Sequence, residues 1–360
     1  MDLTILNREC IKENIVDVYK SIIWTDRYNA AGDFEIYVLM SDEMLNIFQN
    51  GYYIQADFSD STMIVENISI TTENDGGAFL MITGRSLESI LERRIIWQQT
   101  IFYENSTIVS VIQKLLNDAI INPDISHRKI NNFIFKQPTD SKITSLRLTG
   151  DLQFTGDVLY EAIQKICNLY NLGFKLTFND DYQFVFELYS PNDRSYNQDE
   201  NPYIEFSPNF DNLISSDYKI VTTGYRNVTL VAGEGEGIDR KTVSVNSDLY
   251  SGLDRRELYT DARDLSTNIE DGTISDDEYN EMLKNRGLTK LMETQIESNF
   301  DASVDYTQPY VYNKDYFIGD IVEFQNQFGI SYRVRISELI YSESTEGIEH
   351  YPTFTILEED

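Results

Sequence analysis

Histidine and cysteine are almost missing from this chain: in 360 residues there are two of each, His127, His350, Cys10 and Cys167. Zinc chemistry and histidine-based triads have too few parts. The cysteines stand far apart, and Cys167 falls on the apolar side of a predicted helix, so neither a disulfide framework nor a soft-metal site is expected. No cofactor or metal is called for. No apolar run approaches the ~18 residues that a membrane span needs. Met1-Asp2-Leu3-Thr4 opens no basic-then-apolar leader, so the expectation is a soluble protein made without a secretory signal. Basic residues are scarce as well, with 29 Lys and Arg against 60 Asp and Glu and a net charge of −31. Spread over the roughly 15,000 Å² of one compact body of this size, that charge repels phosphate. It excludes nucleic-acid binding driven by counterion release, although DNA would slide past such a wall without sticking. The same charge also serves solubility.

The chain does contain a β pattern written twice. Gly51-Tyr52-Tyr53-Ile54 leads through a polar turn to Met63–Ile70, then through a second turn to Phe79–Thr83. Gly319-Asp320-Ile321-Val322 leads in the same way to Val334–Tyr341 and then to Pro352–Ile356. In both stretches apolar residues alternate with polar ones, and β-branched or aromatic types dominate, which predicts short, half-buried strands. If three such chains closed by cyclic symmetry, six similar barrels would surround one opening.

The fold class read from the whole chain is α+β and mainly β, with two similar small β-barrels. Residues 1–95 form the first barrel, with strands near Leu3–Leu6, Val16–Trp24, Phe34–Leu39, Tyr52–Phe58, Met63–Ile70 and Phe79–Thr83. A short helix from Ser86 to Arg94 follows and buries Leu87, Ile90 and Leu91. Residues 96–205 change period to an α+β domain. One helix runs behind Ser106 or Thr107 to Asn122-Pro123, a second follows Gly156-Asp157, and a hairpin turns at Asn179-Asp180-Asp181. Pro191–Pro208 reads as a linker by composition. The second barrel occupies 206–245 and 297–360. It is interrupted at 246–296 by a helical insertion whose helix opens on the capping box Ser275-Asp276-Asp277-Glu278.

Individual candidates divide between interface and interior. Trp24, Arg27 and Tyr28 place a guanidinium over an aromatic face, either between chains or in closure of one chain. Gly319-Asp320 is expected to make a tight bend whose carboxylate accepts nearby amides. Gly233-Glu234-Gly235-Glu236-Gly237 is no phosphate loop, because its glutamates repel phosphate and no Lys-Ser or Lys-Thr follows; a hairpin tip is expected. No D-x-D-x-D-G calcium loop is present. The 24 tyrosines and 19 phenylalanines supply both core and contact surface.

Trp24, Arg27-Tyr28, Gly32 and Phe34-Glu35 resemble the W-x-x-R-Y-x-x-x-G-x-F-E stretch of phage tail baseplate hub, or tail-tip hub, proteins. So do Gly84-Arg85-Ser86-Leu87 running to Leu91 and Arg94, and Gly156-Asp157 ahead of Ile166-Cys167. Further matches are Arg255–Arg263, Asp315-Tyr316, Gly319–Val322 and Pro352-Thr353-Phe354. The resemblance spans nearly the whole chain in order. It implies a structural, non-enzymatic protein of a bacteriophage or prophage tail tip, assembled in the host cytoplasm into the virion. It further implies a homotrimeric pseudo-sixfold ring that joins the tail tube, or a distal tail protein ring, to tip or receptor-binding proteins and gates DNA passage at host attachment. Trp24, Arg27, Tyr28, Arg85, Gly319 and Asp320 are the interface candidates. With the last strand so near Asp360, a lytic extension is expected to be absent. The alternatives are a carbohydrate-binding tail adhesin using exposed tyrosines, or a wall-degrading hydrolase pairing two carboxylates.

Overall fold

The computed structural model describes residues 2–73, 77–269, 272–304, 309–345 and 347–357. The first β unit contains β1 (Leu3–Leu6), β2 (Lys12–Val16), β3 (Ser21–Arg27), β4 (Asp33–Leu39), β5 (Tyr53–Ala56), β6 (Thr62–Glu73) and β7 (Gly77–Ser86). A short helix, α1 (Asp42–Ile47), sits between β4 and β5, capped by the Ser41 hydroxyl, which accepts the Met44 amide at 3.1 Å. The strands pair antiparallel in the order β3-β4-β7-β6-β5-β1-β2. The stretch expected as one strand from Val16 to Trp24 is two, because the chain turns between β2 and β3. Alternate side chains Ile22, Trp24, Phe34, Ile36 and Val38 point inward and share one cluster with Leu3 and Ile5 of β1. β1 lies five strands from β3 along the path, so a flat sheet could not bring them together and the strands must wrap around their core.

The middle unit contains β8 (Thr100–Phe102), α2 (Ile108–Leu116), β9 (Phe133–Lys136), α3 (Ser141–Thr144), β10 (Leu152–Phe154), α4 (Leu159–Leu169), β11 (Gly173–Phe178) and β12 (Phe184–Tyr189). Thr107 caps α2 by accepting the Ser110 amide at 3.0 Å, and one π-helical turn, Asn117–Ile121, extends it. The β11–β12 hairpin takes β9 as a parallel third strand. Leu87, Ile90 and Leu91 enter this core as expected, but on a 3₁₀ helix, Leu87–Arg93. Ser86 does not cap it. Its hydroxyl accepts the Gly32 amide at 2.8 Å instead.

The second β unit is built from β13 (Glu205–Phe206), β14 (Leu213–Val221), β20 (Glu297–Val304), β21 (Ile321–Gln325), β22 (Ser331–Ser344) and β23 (Gly347–Ile356). Between β14 and β20 lie β15 (Val228–Ala232), β16 (Thr242–Val245), β17 (Glu257–Asp261), the small pair β18 (Asn268–Ile269) and β19 (Gly272–Thr273), and α5 (Asp276–Met292). The expected boundary at 246 is corrected here. β15 and β16 pair with β17 rather than with the large sheet, because Val231 and Val245 bury against Tyr279, Met282 and Leu283 of α5. The expected linker 191–208 is also corrected. Ser195 and Ser207 are fully buried, Ile204 and Phe206 join the second unit's core, and β13 pairs with β21.

Among the described residues, six strands of the first β unit, all but β2, have counterparts in the second. The order β14-β20-β23-β22-β21-β13 mirrors β3-β4-β7-β6-β5-β1, although β13 runs parallel to β21 where β1 runs antiparallel to β5. A bulge falls between Val65 and Asn67 of β6 and between Ile336 and Glu338 of β22. Gly77 and Gly347 open the returning strands. Val65 pairs with Gly84, Gly84 with Phe34, and Phe34 with Trp24. Ile336 pairs with Phe354, Phe354 with Phe300, and Phe300 with Tyr218. Gly51 and Gly319, the residues from which the repeat was read, both take positive φ, +83° and +91°, where a side chain is disfavoured. Phe300 and Phe324 lie 4.3 Å apart although their strands are three steps apart, so the second unit is wrapped as well.

Among the described residues, no helix is long and apolar enough to cross a membrane.

Candidate functional site

The two β units meet along one seam. The distal half of β22, Glu338–Ser344, pairs antiparallel with the whole of β3, Arg27–Ser21, which among the described residues joins both units into a continuous thirteen-stranded sheet. Tyr341 crosses the seam into the first core and stacks on Phe58 at 4.0 Å.

The turn after β3 is pinned on three sides. Arg27 binds Glu338 through Nε at 2.6 Å and Asp33 through Nη1 at 2.6 Å. Tyr28 donates its hydroxyl to the Leu172 carbonyl at 2.9 Å. The guanidinium of Arg335 lies 4.7 Å from the Tyr28 ring centre and donates to the Gly319 carbonyl at 3.0 Å. Asn29 donates to the same Leu172 carbonyl at 2.7 Å and to Asn168 at 2.8 Å. The Ala31 amide donates to the Tyr160 hydroxyl at 2.9 Å. Gly32 leaves no room for a side chain, since a Cβ there would sit 2.2 Å from the Thr25 carbonyl oxygen. The stretch from Trp24 to Phe34 is thus the place where both β units and the middle unit are joined.

The sequence candidates resolve as follows. A guanidinium does lie over an aromatic face, but it belongs to Arg335, not Arg27, because Arg27 is taken by Asp33 and Glu338. Trp24 is 1 % exposed and packs against Phe34 and Phe58 inside the first core. Asp320, also 1 % exposed, accepts the amides of Asn192 at 2.9 Å and Phe317 at 3.1 Å and binds Arg194 Nε at 2.7 Å. Both side chains are buried within the chain, and Asp320 has the acceptor role expected of it. Arg85 holds Glu66 through Nε and Nη2 at 2.8 and 3.0 Å, and Glu92 at 2.7 Å. Sequence reasoning missed Arg335, Glu338, Asn29 and Arg194. Only the arginines carried any signal, as cations among alternating strand residues or in a polar stretch.

A cavity of about 270 Å³ lies beside the seam, bounded by Asp26, Ser61, Glu88, Tyr189 and Tyr312. Burial pushes the carboxyls of Asp26 and Glu88 above the usual range, against the hydrogen bonds they accept. Ser59 donates to both Asp26 oxygens, at 3.0 and 2.9 Å, and the Leu176 amide donates to Glu88 at 2.8 Å. These acids serve as acceptors that fasten neighbouring segments. The hairpin tip expected at Gly233–Gly237 lies between β15 and β16, where the Gly233 amide donates to the Lys241 carbonyl at 2.9 Å.

Residues 2–354 match the family model described as Siphovirus ReqiPepy6 Gp37-like protein. The chain belongs to that family. Among solved structures it resembles the tail protein from Neisseria meningitidis MC58 at 12% identity and a TM-score of 0.57, covering 98% of this chain and 96% of that one. It also resembles the 43 kDa tail protein of prophage MuSo2 from Shewanella oneidensis at 11% identity and a TM-score of 0.55, covering 98% of each. The prophage tail protein gp18 from Listeria monocytogenes EGD-e matches at 13% identity and a TM-score of 0.50, covering 100% of this chain and 96% of that one. At these identities the likeness is one of fold. No curated protein matches the sequence.

Proposed function

We propose that this chain is a structural hub protein of a siphophage tail tip. Three copies form a ring in which six β units surround an opening, join the tail tube to the tip proteins, and let DNA pass on host attachment. The observation that carries this reading is the six-strand repeat, its two copies joined edge to edge through β3 and β22 within one chain. A chain holding two equivalent units lets threefold symmetry imitate sixfold symmetry. The net charge of −31 suits a passage that must not hold phosphate. Native mass spectrometry and negative-stain imaging of the purified full chain test the reading. The expected result is a trimer with a central hole, whereas a species that remains monomeric as concentration rises would remove the proposal.

A further inference from the structure

Among the described residues, the seam within one chain uses one strand edge of each β unit. In the first unit β3 is used; in the second, the distal half of β22. Their repeat-related counterparts are β14 and the distal half of β6, which among the described residues pair with β20 alone and with β7 alone. The proximal part of β6 is paired to β5 only as far as Ile64, just as the proximal part of β22 is paired to β21 only as far as Arg335. The second unit's unused edge is therefore the equivalent of β3, and the first unit's is the equivalent of distal β22.

We infer that β14 of one copy pairs antiparallel with the distal half of β6 of the next copy, repeating between chains the seam that β3 and β22 make within one. The inference rests on the ring reading above and specifies its contact. The register follows from the repeat. Trp24 faces Tyr341 within the chain, and their counterparts are Tyr218 and Ile70, so Tyr218 of one copy faces Ile70 of the next. The pairing then runs from Val221 opposite Asn67 to Ser215 opposite Glu73.

Two further observations agree. The free edges expose apolar side chains whose counterparts in the chain are covered: Ile70 is 50 % exposed and Ile220 is 53 % exposed, whereas Tyr341 and Asp26 are 3 % and 7 % exposed. Moreover, Asn67–Thr72 carries no charge in a chain with 60 acidic residues. Edge strands that stay unpaired are normally guarded by charges, lysine above all. In the inferred register the charged Asp217 and Lys219 of β14 face Thr71 and Ser69, so no like charges are opposed. The contact is head to tail, since each copy gives one edge and receives on another.

Disulfide trapping in the full chain tests this, with Cys10 replaced by serine and the buried Cys167 left in place. Thr71→Cys and Asp217→Cys, opposite one another in the inferred register, should give covalent dimers and a closed trimer under mild oxidation. Asn67→Cys with Ser215→Cys sits about 20 Å out of register and should cross-link at least about tenfold more slowly, because disulfides demand close Cα atoms. An imaged trimeric ring that fails to cross-link at 71 and 217, or that cross-links equally in both variants, overturns the strand pairing and leaves the ring standing. Covalent products that continue past the trimer uphold the strand pairing and overturn the threefold ring. A chain that stays monomeric and uncross-linked overturns both.

Discussion

Asp320 does with one side chain what a loop crossing usually needs several to do. It binds Arg194 and caps two backbone amides while nearly out of water, with its side chain 2 % and that of Arg194 10 % exposed. A buried charge pair of this kind adds little against a hydrophobic substitute, but removing one member leaves the other charge uncompensated. Asp320→Asn should therefore lose about 3–5 kcal/mol of stability, read as a lower midpoint in urea with an unchanged slope. A loss of under about 1 kcal/mol would place the pair among ordinary surface bridges. The Gly319-Asp320 bend was legible in sequence because glycine followed by aspartate at a strand entry is local turn chemistry. The choice between Arg27 and Arg335 for the aromatic face was not. It depends on which carboxylates lie beside each arginine, and Glu338 reaches Arg27 only after residues from opposite ends of the chain have paired.

The elements show the same division between local and distant causes. The box at the start of α5 forms as read: the Ser275 hydroxyl accepts the Glu278 amide at 3.3 Å, and the Glu278 carboxylate accepts the Ser275 amide at 2.8 Å. Both partners lie within one turn, so sequence suffices. Ser275→Ala should cost about 1 kcal/mol, enough to raise hydrogen exchange of the first-turn amides of α5 by about fivefold; unchanged exchange there would mean that packing of Tyr279 and Leu283 alone holds the turn. Ser86 looked like an equally good cap, but β7 runs through it and Gly32 takes its hydroxyl, a partner that no local window contains. The stretch 191–208 misled for a related reason. Its polar residues mark it as a linker, yet they meet the buried Asp320 and the half-buried Ile321 and Glu323, all distant in sequence. The insertion boundary was drawn late because β15 and β16 alternate like strands of either sheet, and only α5 decides which core they join.

For the molecule as a whole, the repeat was legible because register and turns are locally encoded, down to the two positive-φ glycines. Its returning strand was aligned three residues out of place, since the notional match of Phe79 with Pro352 ignored where each hairpin closes; Gly77 and Gly347 are the true counterparts. The seam between units had no local signal at all. Accessible surface is 18786 Å², well above the roughly 15,000 Å² of a single compact body of this mass, so several separately wrapped units share the charge. Copies bearing −31 each repel one another on approach, and that repulsion reaches about 30 Å at 0.01 M salt but only about 8 Å at 0.15 M. If backbone pairing and apolar contact hold the copies together, salt should help assembly, lowering the dissociation concentration several-fold across that range in mass photometry. The opposite trend would assign the association to exposed ion pairs, which salt weakens, and would be at odds with a contact through the uncharged edge of β6.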